Sequence, residues 1–144
     1  MICTFFGHRN APEQIKPKLK SLLIDSIENQ NVNMFYVGNH GAFDRMAKEI
    51  LKDLKEKYDI KYYVVLAYIP KKDEYRDYSD TIYPDEMAKT PYKYRIIERN
   101  KWMLTKSDYA VTYVNKIIGG AYELKTLAEK QGKRVVEISL NFYL

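Results

Sequence analysis

The sequence predicts a single Rossmann-like α/β domain, a three-layer arrangement with a mainly parallel sheet of about five strands, spanning residues 1–144. Three observations predict it. Short β-favouring apolar runs alternate with longer stretches of helical period along the whole chain. Parallel strands need right-handed crossover connections, and each helical stretch is long enough to provide one. Glycines fall at three strand-to-helix junctions, at Gly7, at Gly38 with Gly41, and at Gly119 with Gly120.

The elements follow in order. Ile2 to Phe6 is apolar and stops at Gly7, as a buried first strand does. Pro12 opens a helix over Glu13 to Glu28, with Ile15, Leu19, Leu22, Leu23 and Ile27 on one face. Met34 to Val37 reads as a second strand. A glycine loop leads from it to a helix through Met46, Ile50, Leu51 and Leu54. Lys61 to Ile69 is a continuous β-rich run, the pattern of a strand covered on both faces. Pro70 to Pro91 is polar and rich in tyrosine and lacks a sustained period, so it reads as a long loop carrying at most a short helix. Tyr92 to Lys106 resumes helical spacing, and Tyr109 to Val114 is the next strand. Gly119 and Gly120 start a final helix that runs to about Gln131 and is capped by Gly132. Val135 to Ile138 closes the sheet.

Composition bounds the function. A length of 144 residues fits one domain, and 46% hydrophobic with 30% charged residues is the balance of an ordinary globule. No apolar run approaches the roughly 20 residues that span a bilayer, so no membrane partner is expected. The first residues lack the basic start, apolar stretch and cleavage site of a secretory leader. One cysteine, Cys3, and two histidines, His8 and His40, make a poor set for a structural zinc. Neither a metal nor a cofactor is expected, and the reducing cytoplasm fits the cysteine usage. A net charge of +5 favours anionic partners, although much of it lies in mixed helical segments such as Lys48 to Lys57.

The three glycine junctions carry the chemistry. In a doubly wound sheet they gather at the carboxyl edge, where ligands bind near the change in strand order. Free N–H groups and the positive ends of helices favour phosphate there, and glycine lets the backbone approach closely. The plainer reading of each glycine is a tight turn. Arg9 follows the first strand with His8 beside it. Its guanidinium can grip phosphate with two bonds, and the imidazole can donate or exchange a proton. Asp44 and Glu123 each sit in the first turn after a glycine loop, as helix-dipole partners, as acceptors for sugar hydroxyls or as the acids of a cleaving enzyme. Arg99 and Asn100 add a charged fork and an amide, whereas Trp102 and Met103 read as core.

The chain resembles the SLOG superfamily, the Rossmann-like group that includes DprA-like and LOG-like proteins. The resemblance runs over nearly the whole length. It rests on Thr4-Phe5-Phe6-Gly7-His8-Arg9, Val37-Gly38-Asn39-His40-Gly41-Ala42-Phe43-Asp44, Ile82-Tyr83-Pro84, Arg99-Asn100-Lys101-Trp102-Met103 and Gly119-Gly120-Ala121-Tyr122. It implies a nucleotide pocket with Gly7, Arg9, Gly38, Gly41, Gly119 and Gly120 at the family's phosphate-loop positions. The LOG-like phosphoribohydrolases carry Pro-Gly-Gly-x-Gly-Thr-x-x-Glu, whereas Ile118 replaces that proline here and no Gly-Thr follows Ala121. That departure weighs against cleavage.

The leading expectation is therefore a sensor or sequestering protein for a nucleotide-derived small molecule. Its ligand-binding residues are Gly7, His8, Arg9, Gly38, Gly41, Tyr83, Arg99, Asn100, Gly119 and Gly120. The alternative is an N-glycosidase acting on a nucleoside phosphate through Glu123 or Asp44. A third reading is single-stranded nucleic-acid binding, using the positive charge and Tyr75, Tyr78, Tyr83, Tyr92 and Tyr94. A compact stand-alone member of such a group also admits a homo-oligomer.

Overall fold

The computed structural model describes residues 1–69, 80–115 and 119–139. Six strands form one sheet, β1 (Ile2–Gly7), β2 (Met34–Val37), β3 (Lys61–Val65), β4 (Thr81–Ile82), β5 (Tyr109–Tyr113) and β6 (Arg134–Glu137). Among the described residues five α-helices accompany them, α1 (Lys16–Asn29), α2 (Gly41–Lys55), α3 (Asp85–Lys89), α4 (Arg95–Thr105) and α5 (Gly120–Lys130). The strand order is β4-β3-β2-β1-β5-β6, and every neighbouring pair is parallel. All carboxyl ends therefore point to one edge. The order reverses between β1 and β5, and this is where a doubly wound sheet opens a crevice.

The pleat divides the core in two. Cys3 and Phe5 of β1 point to the face covered by α1 and α2, where Leu19, Leu23, Phe43, Met46, Ile50 and Leu51 are buried with Phe35, Val37 and Val111. Phe6 points the other way, to Met103 and Leu104 of α4 and Leu124 and Ala128 of α5, together with Val65 and Ala110. The strands bury both faces, which explains why their sequences are continuous apolar runs with little alternation.

The sixth strand corrects the expected count of about five. Two residues, Thr81 and Ile82, extend the sheet beside Val64 and Val65 within a stretch that reads as loop. A two-residue edge strand is too short for any period to show. The same stretch does carry one short helix, α3. β3 ends at Val65, short of Ile69. Its last ladder partner on β2 is Val37, and the Val65 carbonyl then accepts from the Arg99 guanidinium at 3.0 Å. Tyr92 to Lys106 divides into a 3-10 turn over Tyr92–Tyr94, opened by Pro91, and α4 proper. Tyr75, Tyr78 and Ile118 lie outside the described residues. No helix among the described residues is long and apolar enough to cross a membrane.

Candidate functional site

The switch point is built by close approach of backbones. At the end of β1 a methyl group on Gly7 would lie 2.3 Å from the Phe43 ring, so only glycine lets α2 pack this near. His8 continues the ladder, its N–H donating to the Tyr113 carbonyl at 3.2 Å, and its ring meets Tyr113 edge-on. The carbonyl of Arg9 then accepts from the Ala42 N–H at 2.8 Å. Gly41 has φ +89°, and a Cβ there would lie 2.6 Å from the Arg9 Cα. The loop after β1 is thus clamped onto the start of α2, leaving the Arg9 side chain exposed.

The inner wall is polar and desolvated. Arg99, on α4, is only 1% exposed. Its Nε donates to Asn100 Oδ1 at 2.7 Å and its Nη1 to Val65 O at 3.0 Å and Asn39 Oδ1 at 3.3 Å. Nη2 lies 3.4 Å from His40 Nδ1. Asp44 is 9% exposed and its Oδ2 accepts the His40 backbone N–H at 3.0 Å. A methyl group on Gly38 would sit 2.6 Å from Asp44 Oδ2 and 2.9 Å from Arg99 Cζ. The glycine therefore makes room for both charged groups behind the end of β2.

This crowding sets the protonation states. Burial first, then the positive charges of Arg99, Arg9 and Lys48, lower His40 to about 4. The ring is neutral at neutral pH. Because guanidinium only donates, Nδ1 is the acceptor and Nε2 carries the hydrogen. Burial pushes the Asp44 carboxyl above its usual range, and Arg99 and the His40 amide pull it part of the way back. Burial lowers Arg99 against the attraction of Asp44.

The opposite wall comes from α4 and α5. Gly119 has φ +100°, and nothing lies within 4 Å of a Cβ built on it or on Gly120, so this helix start faces open space. Glu137 at the end of β6 braces the approach. Its Oε1 accepts from Thr112 Oγ1 at 2.5 Å, its Oε2 from the Val114 N–H at 2.8 Å, and Lys125 of α5 lies 3.4 Å away. Between the two walls lies a cavity of about 480 Å³. Phe5, Phe6, Ile96, Ile97, Leu124 and Leu127 supply its apolar lining. Arg9, Arg99, Lys93 and Lys101 bring positive charge, Asp44 and Glu123 negative, with His40 and Asn100 between.

Most of the residues singled out from the sequence meet here. Gly7, His8, Arg9, Asp44, Arg99, Asn100, Gly120 and Glu123 line the cavity. Gly38 and Gly41 stand behind it as packing positions, and Gly119 precedes the helix residue that lines it. Tyr83 lies apart from the lining. Its hydroxyl accepts from Arg95 Nη1 at 3.1 Å, and its ring packs on the core under α1 and α2. Sequence reasoning missed Lys93, Lys101, Asn39 and Glu137, and it took Ile96 and Ile97 only as helix spacing. No local signal separates this pair from core positions, since adjacent apolar residues of a helix can both be buried, as Ile50 and Leu51 of α2 are. No group of three or more potential metal ligands occurs among the described residues.

With this geometry established, likeness to known proteins becomes informative. A model of the YpsA family, described as the YspA SLOG family, matches residues 2–140. The chain belongs to this SLOG family. No curated protein matches it in sequence. Among solved structures it is similar to DNA processing protein A from Helicobacter pylori, a protein with a single-stranded DNA binding mode. There the TM-score is 0.70 at 15% identity, over 99% of this chain and 66% of that one. DNA processing protein A (DprA) from Streptococcus pneumoniae is similar with TM-score 0.73 at 16% identity, over 97% of this chain and 50% of that one. The chain thus spans between half and two-thirds of the length of these neighbours. At such identity the likeness shows the shared α/β fold.

Proposed function

We propose that this SLOG protein binds a nucleotide or nucleotide-derived phosphate ligand in the cavity at the sheet's switch point and acts as a sensor or sequestering protein. One observation carries the reading. A single cavity joins an apolar wall suited to a base with a cationic rim at Arg9 and an unobstructed helix start at Gly119 and Gly120. The start of α2 is a poorer anion site, because Ala42 already donates to Arg9 and the Asp44 carboxylate takes the His40 N–H.

The test is mass spectrometry of small molecules released from the natively purified protein, followed by calorimetry with the compound found. Recovery of an intact nucleotide-derived phosphate is the expected result. A protein that carries none and shows no heat with millimolar nucleoside phosphates would overturn the reading. Release of free base that disappears in Glu123→Gln would instead identify a glycosidase.

A second reading is favoured by the 3-10 turn Tyr92–Tyr94, whose Lys93 lines the cavity. Tyr92 is 73% and Tyr94 47% exposed, beside Lys93. Exposed rings among cations suit stacking with unpaired bases, and the similar protein from Helicobacter pylori binds single-stranded DNA. Under this reading affinity rises with oligonucleotide length and falls steeply with salt. A mononucleotide held equally well at low and moderate salt favours the first.

A further inference from the structure

On the nucleotide reading, we infer that Asp44 and Arg99 form a hydroxyl-reading pair that makes the cavity selective for ribonucleotides over nucleotides lacking ribose hydroxyls. The argument starts from unused hydrogen-bonding capacity. Guanidinium has five N–H donors. Arg99 directs four of them to Asn100, Asn39, Val65 and His40, which leaves one Nη2 hydrogen without an acceptor among the described residues. Asp44 accepts the His40 N–H through Oδ2, and no described residue donates to Oδ1. Both side chains are at least nine-tenths buried, and both line the cavity. An acceptor oxygen and a donor hydrogen that no described residue meets, on side chains this buried at the cavity wall, are open to a partner that meets both.

The chemistry of that partner follows from the pair. A phosphate or carboxylate would meet the Asp44 carboxylate and be repelled, and an ammonium would meet Arg99. A neutral group that both gives and accepts hydrogen bonds satisfies the two together. Adjacent hydroxyls do this, one donating to Asp44 Oδ1 and its neighbour accepting from Arg99 Nη2. The apolar wall of Phe6, Ile96, Leu124 and Leu127 is where a base fits, and Arg9 with the start of α5 is where phosphate fits. The sugar is left facing the Asp44 and Arg99 wall.

The experiment compares ribonucleoside 5′-monophosphates of each common base with their 2′,3′-dideoxy counterparts by calorimetry. Wild type is expected to bind the ribonucleotides roughly ten- to a hundredfold more tightly, the range for losing a bond to a buried charged group. Asp44→Leu, with the same branching and no acceptor, is expected to reduce that ratio to about threefold or less. If this variant does not fold by circular dichroism, Asp44→Asn carries the same comparison with a smaller drop in the ratio. Equal binding of both sets by wild type overturns the inference and leaves the nucleotide reading standing. A preference that follows the base, or that survives both Asp44 substitutions, also overturns it. Absence of binding by every compound overturns the nucleotide reading, and the inference falls with it.

Discussion

At the residue scale, neighbouring histidine and arginine side chains do different work. His8 is held by its backbone bond to Tyr113 and its edge contact with that ring, whereas Arg9 is fixed only through its main chain and keeps an exposed guanidinium. On the proposed nucleotide reading, phosphate recognition is expected to fall to Arg9, whose guanidinium donors are directional. Arg9→Ala is expected to weaken a phosphorylated ligand by about 1.5–3 kcal/mol, the range for a bond to a charged group, and the dephosphorylated analogue by much less. Calorimetry on both ligands checks this, and equal losses would remove the assignment. The placement of Arg9 beside the cavity was legible in the sequence, because it directly follows a strand that ends at a glycine. The contact of Asn39 was not, since only the turn after β2 aims its amide at Arg99, sixty positions along the chain.

At the element scale, glycines that look alike in the sequence divide into two kinds. Gly41 carries a positive φ and lies against the Arg9 backbone, so it welds the loop after β1 to α2. Gly120 lies in a helix with nothing near its missing Cβ, at the wall of the cavity. Gly41→Ala is expected to destabilise by on the order of 2–3 kcal/mol, combining left-handed strain with a backbone clash that no rotamer relieves. Gly120→Ala is expected to leave stability within about 0.5 kcal/mol, since alanine suits a helix, while weakening phosphate binding through a methyl group placed in the cavity. Urea denaturation of the two variants, with calorimetry on the second, separates a packing glycine from a ligand glycine. The sequence places both at strand-to-helix junctions. What each approaches depends on a neighbouring element.

At the scale of the whole molecule, the buried polar cluster couples folding to pH. His40 is lowered from 6.5 to about 4 in the fold, so its contribution is fully present above pH 6.5 and is lost as pH falls through about 4. Asp44 is shifted upward, so its contribution has the opposite sense, present at low pH and lost as pH rises through its folded value. Between pH 6.5 and 4, His40 should make urea-unfolding stability decline, against the opposite contribution of Asp44, because the unfolded chain takes up a proton at His40 that the native protein refuses. His40→Gln should flatten part of that decline. An unchanged slope in the variant would show that the ring is not held neutral. The ring should also show no titration step between pH 6 and 8 by NMR.

The sequence alone determined the layered α/β architecture, the helical faces and the carboxyl-edge position of the glycine loops. These follow from local periods and from the rule that parallel strands share one direction. It also carried Arg9, Asp44, Arg99 and Glu123 as candidates. Tertiary structure decided which of them meet. The two-residue β4 exists only because β3 offers it an edge, and Tyr83 turns to Arg95 and the core under α1 and α2. Arg99 reads from the sequence as a charged fork for a ligand, yet most of its donors are taken up within the protein, and it is buried because the ends of β2 and β3 present Asn39, His40 and the Val65 carbonyl at one point. Burial of a charge depends on partners brought from distant elements, and no local pattern in the chain records that meeting.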